Sequence, residues 1–342
     1  MIVLGMVILT SLAFDFTNGF HDTANAMATS IATGALKPKS AVALSAVLNL
    51  VGAFLSVQVA LTVTNSVIRI QDSTGAPNAA LTANGGSALL LIVLAGLVGA
   101  ILWNLLTWLL GLPSSSSHAL FGGLIGATIA ASGTGALNVD GIVGKVLVPL
   151  VVSPVLGIAI GFALMVVLLN LFRRSHPRQI NERFRRLQLL SAAYMAFAHG
   201  SNDAQKTMGI MTLALVSAGI LSKPVVPLWI IFLAASAISL GTAAGGWRII
   251  RTMGQRVVKL DPVHGFAAET TAATIILGAS QFGIPVSTTH VISTAIMGVG
   301  ASDRFSAVRW GVAGDIFIAW ILTLPASGAV AWIAWQALSR VL

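Results

Sequence analysis

The sequence predicts an all-α polytopic membrane protein with about 10–12 transmembrane segments in two inverted-topology repeats, whose broken helices or hairpins meet at the membrane midplane. Composition is the first reason. Hydrophobic residues form 56% of the chain and charged residues 8%, and the mean hydropathy is +0.92. A soluble domain of 342 residues cannot bury so much apolar surface. The second reason is that the two halves repeat the same motifs in the same order.

Apolar segments of about 20 residues recur along both halves. Polar residues interrupt the first segment of each half, which predicts a broken helix there. We assign residues 1–171 to a first repeat, 172–187 to a basic linker and 188–342 to a second repeat. The predicted segments are 1–36, 41–63, 87–110, 117–134, 143–171, 188–221, 224–246, 264–281, 286–301 and 309–339.

Basic residues cluster between the apolar segments. The net charge is +9, and arginines are concentrated in the linker and in the loop 247–259. Such clusters are typical of cytoplasmic loops, so the charge does not indicate nucleic-acid binding. The equivalent loop of the first half, 64–86, has only Arg69 and Asp72 as charged residues. This difference predicts inverted repeats in the cell membrane, with extracellular or periplasmic termini and a cytoplasmic linker.

Two motifs are duplicated. The segment "NGFHDTANAMA", which begins at Asn18, aligns with "HGSNDAQKTMG", which begins at His199. The segment "GLPSSSSH", which ends at His118, aligns with "GIPVSTTH", which ends at His290. Both pairs keep a similar offset, so we infer an internal repeat. Inverted repeats with polar motifs at the midplane are typical of secondary transporters.

The first motif pair places carboxylates within apolar segments. Asp22 and Asn25 lie at i and i+3 and share one helix face, and Asp203 and Lys206 share the corresponding face of the second repeat. An intramembrane carboxylate is costly and normally faces a cavity or a partner, so both aspartates are candidate functional residues. Capping of interrupted helices is the alternative. A glycine three residues before each aspartate predicts that the helix is interrupted there.

The second motif pair places consecutive hydroxyl side chains after a proline. A helix that starts in such a run offers backbone N–H groups, hydroxyl donors and a positive dipole end, which suit a small tetrahedral anion. Ordinary N-capping is the alternative for any single hydroxyl. The residues are Ser115, Ser116, Ser117, Ser287, Thr288 and Thr289.

Two other classes of protein fit the motifs poorly. In a hydrolase, Ser117 and His118 would have to form a nucleophile–base pair, but adjacent residues point about 100° apart on a helix. A channel would need one continuous pore lined by polar groups, whereas this sequence has two mirrored clusters. An enzyme and a channel are therefore not expected.

At these motifs the chain resembles the inorganic phosphate transporter (PiT) family. The segments "NGFHDTANAMAT", "GLPSSSSH", "FAHGSNDAQKTMG" and "GIPVSTTH" stand in the family's order. The resemblance implies a short bacterial-type member that carries inorganic phosphate with H⁺ or Na⁺ by alternating access, is not an enzyme, needs no cofactor and forms a homodimer. Sulfate transport by the same fold is the alternative. The resemblance implies that Asp22, Asn25, Asp203 and the six hydroxyl residues line the phosphate and coupling-ion sites.

We also assign the site of the coupling cation to the duplicated motifs, and we expect no other metal. A phosphate oxygen that keeps its proton can donate to a carboxylate, whereas sulfate has no proton to give at neutral pH, so the aspartates favour phosphate. Imidazole titrates near physiological pH, which suits proton coupling. The candidate cation ligands are Asp22, Asn25, Asn202, Asp203 and Glu269, and the candidate proton-carrying or orienting residues are His21, His118, His199 and His290.

Lys206 departs from the duplicated motif, which has Asn25 at the equivalent position of the first repeat. Lys206 either supplies positive charge to the anion or neutralises Asp203 at i+3, and the second interpretation is favoured. We assign no role to Asp15 or Asp315 from the sequence.

Overall fold

The computed structural model describes residues 1–68 and 79–342, apart from the side chains of residues 64–66 and 79–85. Arg69 and Asp72, which enter the charge comparison between equivalent loops, lie outside the described residues. Within the described ranges the chain is built from α-helices joined by short connections.

The helices of the first half surround two central elements, a long first helix and a short helix that starts in the hydroxyl run. A 3₁₀ turn and a π-helical turn lie between the fifth and the last of these helices. The helices are α1 (Ile2–Ala32), α2 (Pro38–Gly52), α3 (Gln58–Ser66), α4 (Ala79–Leu110), α5 (Ser116–Ser132), α6 (Val139–Ile142) and α7 (Val148–Phe172).

The second half has a corresponding series. Its first helix starts inside the predicted linker, so that only residues 173–176 separate it from α7. The helices are α8 (Pro177–Ser217), α9 (Leu228–Ala244), α10 (Trp247–Arg251), α11 (Pro262–Gln281), α12 (Thr288–Asp303) and α13 (Trp310–Leu338).

Four of the described helices are long and apolar enough to cross a membrane. They are α1, the part of α4 from Gly86 to Leu110, the segment Val139–Phe172 and α13, and the pair formed by α9 and residues 247–256, bent by 60°, adds a fifth. Helices α5 and α12 have 17 and 16 residues, about 25 Å, and are shorter than a hydrocarbon core of about 30 Å. Each packs against the helix before it, α4 or α11, as the predicted hairpins require.

Equivalent helices of the two halves pack in equivalent pairs. Helix α1 packs on α9, and its counterpart α8 packs on α2. Helix α5 packs on α13, and its counterpart α12 packs on α7. Helices of each repeat therefore pack on helices of the other repeat. The hydroxyl runs at the starts of α5 and α12 are buried in the protein interior.

The breaks predicted beside the aspartates are wrong, because α1 and α8 run without interruption through Gly19 and Gly200. These glycines permit close packing instead. A Cβ atom at Gly19 would lie 2.2 Å from the backbone oxygen of Ile238 in α9, and one at Gly200 would lie 2.3 Å from that of Asn49 in α2. Such distances exclude any side chain, so glycine is needed where the motif helices contact the other repeat.

Candidate functional site

The duplicated aspartates meet in the interior of the protein. Asp22 of α1 is 2% exposed and Asp203 of α8 is 1% exposed. Together with His199 they offer ligand atoms that all lie within 4.8 Å of one another. These residues, with the side chains that bond to the two carboxylates, are called the central cluster below.

Lys206 is buried in the central cluster. Its ammonium group donates hydrogen bonds to the carboxylate of Asp203, to Ser117 Oγ at 2.6 Å and to the backbone oxygen of Val286 at 3.0 Å. An ammonium group has three N–H donors, so these three acceptors satisfy it. Lys206 thus pairs with Asp203 and also ties α8 to the starts of both hairpin helices.

Asn25 makes the corresponding contact from α1. Its Nδ2 donates to Thr289 Oγ1 at 2.9 Å and to Thr288 Oγ1 at 3.3 Å. Thr288 Oγ1 donates to Asp203 Oδ2 at 2.9 Å, and Thr289 Oγ1 lies 3.5 Å from Asp22 Oδ1. Both hydroxyls of the second run therefore contact the carboxylates.

Some residues of the hydroxyl runs cap helices, and others face the central cluster. Ser115 Oγ accepts from the backbone N–H of His118, and Ser287 Oγ accepts from that of His290, each at 3.2 Å. These two serines are helix caps, as the alternative interpretation expected. Ser116 Oγ is buried and has no hydrogen-bond partner among the described residues. Its hydroxyl is therefore free to bind a ligand.

Two histidines connect the aspartates to neighbouring helices. His21 Nδ1 lies 2.7 Å from Asp22 Oδ1, and its Nε2 lies 3.1 Å from Thr107 Oγ1 of α4. His199 Nε2 lies 3.0 Å from the carboxylate of the second-repeat aspartate, and its Nδ1 lies 3.1 Å from Asn49 Oδ1 of α2. Both imidazoles are buried, and each contacts its carboxylate.

Glu269 lies apart from the central cluster. Its carboxylate accepts from Thr29 Oγ1 and Ser191 Oγ, each at 2.5 Å, and from Gln188 Nε2 at 3.1 Å. Thr29 is seven residues after Asp22 on α1, which corresponds to about 10 Å along the helix. Glu269 is thus satisfied by donors of α1 and α8 in a second polar site, and its role as a cation ligand stays a prediction.

Three other candidate residues lie at the edge of the central cluster. Asn202 Nδ2 donates to Ser280 Oγ of α11 at 2.8 Å. The ring centroids of His118 and His290 are 4.8 Å apart, and His290 stacks on Trp320 with centroids 3.8 Å apart. These contacts agree with a packing or orienting role for the two histidines.

Thr107 and Ser114 contact the central cluster and were not expected from the sequence. Ser114 Oγ donates to Thr107 Oγ1 at 2.8 Å and lies 3.4 Å from His21 Nε2. Ser114 opens the first hydroxyl run, and that position is Val286 in the second run, so the duplication gave no reason to select it. Thr107 lies in an apolar segment without a duplicated polar partner.

The fold and the central cluster define a helical membrane protein of two interlocked repeats, in which hydroxyl-rich hairpin helices meet a buried pair of carboxylates. The class is that of the membrane transporters. The chain belongs to the phosphate transporter family, because the family model described as "Phosphate transporter family" matches residues 18–180 and again residues 172–331. The two matches correspond to the two halves of the chain.

Curated relatives resemble the chain over nearly its whole length. A protein of Bacillus subtilis named "Probable low-affinity inorganic phosphate transporter" is 45% identical over 337 residues, which are 98% of this chain and 97% of the relative. A protein of Mycobacterium leprae with the same name is 50% identical over 96% of this chain and 76% of the relative. A solved structure described as "The sodium-dependent phosphate transporter" matches 100% of both chains with a TM-score of 0.88 and 24% identity, which shows that the fold is shared.

Proposed function

We propose that this phosphate transporter carries inorganic phosphate across the cell membrane together with a cation, by alternating access at the central cluster. The observation that carries the proposal is the meeting of the hydroxyl runs with the two carboxylates. The starts of α5 and α12 come from different repeats, and their hydroxyls contact Lys206, Asn25 and Asp203. Hydroxyls and helix N-termini bind the oxygens of a tetrahedral anion.

Phosphate binds between donors and one acceptor. Its candidate hydroxyl donors are Ser116, Ser117, Thr288 and Thr289, and Asn25 is a candidate N–H donor. Lys206 supplies positive charge while its N–H groups stay with their three protein acceptors. Ser115 and Ser287 orient the helix starts. The phosphate oxygen that keeps its proton donates to Asp22, which has no ammonium partner among the described side chains. Sulfate lacks this proton at neutral pH and leaves Asp22 facing an anion, so phosphate is favoured.

The coupling cation, Na⁺ or H⁺, offsets the negative charge of the carboxylates. Asp22, Asn25, Asn202 and Asp203 are its candidate ligands, and Glu269 is a further one about two helix turns away. His21 and His199 are the candidate proton-carrying groups, because each imidazole contacts a carboxylate. When cation and phosphate each favour binding of the other, their transport is coupled.

Alternating access arises from the two repeats. We place them in inverted orientation, with the termini outside and residues 173–176 in the cytoplasm, and we place two copies of the chain in a homodimer. The equivalent packing of α5 on α13 and of α12 on α7 supports the two equivalent repeats that this arrangement needs.

Uptake of labelled phosphate into proteoliposomes tests the proposal, with inward Na⁺ and inward H⁺ gradients imposed separately. We expect one gradient to drive uptake, excess sulfate to leave it unchanged, and Asp22→Asn to abolish it. Asp315→Asn, on α13, is the matched control for replacing a carboxylate by an amide, because Asp315 is exposed. Full competition by sulfate, or uptake that neither gradient increases, would refute coupled phosphate transport.

A further inference from the structure

Asp15 is a buried carboxylate outside the central cluster. It lies on α1 and its exposed fraction is 0%. Neither of its carboxylate oxygens has a hydrogen-bond partner among the described residues. An ionised carboxylate is strongly disfavoured in such a position unless a positive group or a set of donors compensates it. An ionised Asp15 therefore requires a ligand that its protein contacts do not supply.

Two other buried oxygens adjoin this carboxylate. Asn18 lies on the same face of α1, three residues after Asp15, and Thr207 comes from α8, which packs on α1. Both side chains lie close enough to the Asp15 carboxylate to act on its charge, but without the geometry of a hydrogen bond. Asn18 Oδ1 and Thr207 Oγ1 also lack a hydrogen-bond partner among the described residues. The group thus contains four buried oxygen atoms without a hydrogen-bond partner.

The charged groups that act on Asp15 are Lys206 and Asp203, both on α8. Lys206 does not form the missing hydrogen bond, because its three N–H groups already donate to three other acceptors. The charges of the two carboxylates and the ammonium sum to one negative charge. One monovalent cation neutralises this charge.

These oxygens have no equivalent in the second repeat. The offset that aligns Asp22 with Asp203 places Ala196 opposite Asp15 and Ala26 opposite Thr207. The group is therefore not part of the duplicated architecture. The two copies of the first motif differ at a second place too, because Lys206 stands opposite Asn25.

We propose that Asp15, Asn18 and Thr207 form a binding site for one Na⁺ ion. A carboxylate, an amide carbonyl and a hydroxyl are hard oxygen ligands of the kind that an alkali cation prefers, and the ion satisfies all four oxygens at once. Asp15 lies seven residues, or about 10 Å along α1, before Asp22. Thr207 follows Lys206 directly on α8, so the site adjoins the central cluster. Its place in the coupling of transport rests on the proposed function, but its ability to bind Na⁺ does not.

Binding of ²²Na⁺ to the purified full-length protein, in phosphate-free buffer with choline as the replacement cation, tests the site. The assay uses an Asp22→Asn background, so that the central cluster contributes less to the signal. We expect saturable binding that Asp15→Asn abolishes and that Thr207→Val weakens about tenfold. Asp315→Asn is the matched control and leaves binding unchanged. Gel filtration of each variant checks that it is folded.

Equal ²²Na⁺ binding by the parent, Asp15→Asn and Thr207→Val proteins would overturn the site, as would a folded parent that binds no ²²Na⁺. Thr207→Val keeps the shape of the side chain and removes only the hydroxyl, so it gives an answer if Asp15→Asn does not fold. Binding of labelled phosphate to the otherwise wild-type protein is measured separately. If phosphate does not bind while ²²Na⁺ does, the proposed function fails and the Na⁺ site stands.

Discussion

The carboxylates of Asp22 and Asp203, one from each repeat, belong to a cluster whose ligand atoms lie within 4.8 Å of one another, yet they have different partners. Asp203 accepts from the ammonium group of Lys206. Asp22 lies 2.7 Å from the imidazole of His21. Each carboxylate therefore has an imidazole neighbour, His21 or His199, but only Asp203 also has a fixed positive charge beside it.

The two carboxylates should respond differently to neutralisation. Asp22→Asn removes the acceptor proposed for the phosphate proton and is expected to lower phosphate uptake by at least about 100-fold, with little change in thermal stability. Asp203→Asn leaves the Lys206 ammonium buried without its counter-charge and is expected to destabilise the protein as well. Uptake in proteoliposomes and thermal unfolding in detergent measure both effects. Equal loss of stability in the two variants would contradict the assignment.

Single and double variants can separate the structural role of Lys206 from its role in transport. Lys206→Met keeps the length of the side chain but leaves Asp203 as an uncompensated buried charge, so we expect a loss of about 3 kcal/mol in the free energy of unfolding. The double variant Lys206→Met with Asp203→Asn removes both charges and should recover most of this stability. We expect phosphate uptake to stay low in the double variant. Recovery of uptake with stability would assign Lys206 a purely structural role.

The serines of the first hydroxyl run offer a matched comparison. Ser116→Ala removes a hydroxyl with no protein partner among the described residues, so thermal stability should not change, while phosphate binding should weaken about tenfold. Ser115→Ala removes a helix cap and should cost about 1 kcal/mol of stability. Binding of labelled phosphate and thermal unfolding are measured on both variants. Unchanged phosphate affinity in Ser116→Ala would remove that residue from the binding site.

The sequence was sufficient to select the duplicated residues that the fold brings together, and their role in binding stays a prediction. Asp22 and Asp203 could be paired because the motif occurs twice. The contact of Asn25 with Thr289 became evident only in the folded protein. A carboxylate that is repeated in an apolar segment cannot be explained by chance or by solvation. Fold class and the hairpins followed from hydropathy and from the position of the hydroxyl runs.

Other features depend on tertiary packing and could not be predicted. Glycine is compatible both with a helix break and with close helix packing, and only the neighbouring helix decides between them, as Gly200 and Asn49 illustrate. Glu269 lies within an apolar segment like the aspartates, but its donors come from α1 and α8, at positions that no local spacing indicates. Asp15 has no duplicated partner, so its unsatisfied oxygens became evident only in the folded protein.

The close packing at Gly200 gives a prediction for stability. Gly200→Ala would place a Cβ atom 2.3 Å from the backbone oxygen of Asn49, so α2 and α8 must separate, at a cost of about 1–3 kcal/mol. Gly5→Ala, in α1, is the control, because a Cβ atom there meets nothing within 4 Å and alanine favours the helix. Thermal unfolding in detergent should show a lower midpoint only for Gly200→Ala. Equal midpoints would show that the two helices can separate without cost.

An ion triad joins the start of α11 to the end of α12, near residues 173–176. Although segment 264–281 was predicted to cross the membrane, neither helix is among the described helices long and apolar enough to do so. His264 Nδ1 lies 2.8 Å from Asp261 Oδ1 and its Nε2 lies 2.9 Å from Asp303 Oδ2. Burial favours the neutral imidazole, but the hydrogen bonds and charges of the two carboxylates outweigh burial and raise the pKa of His264 above its ordinary value. In the same triad, burial tends to raise the pKa of Asp261, but the bond to His264 and the charge of its imidazolium outweigh it and lower that pKa.

The raised pKa of His264 makes stability depend on pH with a definite sign. Protonated His264 joins the start of α11 to the end of α12, and its contribution is fully present below the unfolded-state pKa of about 6.5. The contribution is lost as the pH rises through the higher pKa of the folded protein. We therefore expect the unfolding midpoint of the wild type to exceed that of His264→Gln at about pH 6, and the difference to shrink towards about pH 9. Asp303→Asn should also have a lower unfolding midpoint than the wild type at about pH 6, and this difference should likewise shrink as the pH rises. A difference that grows with pH would contradict the assignment of charge to His264.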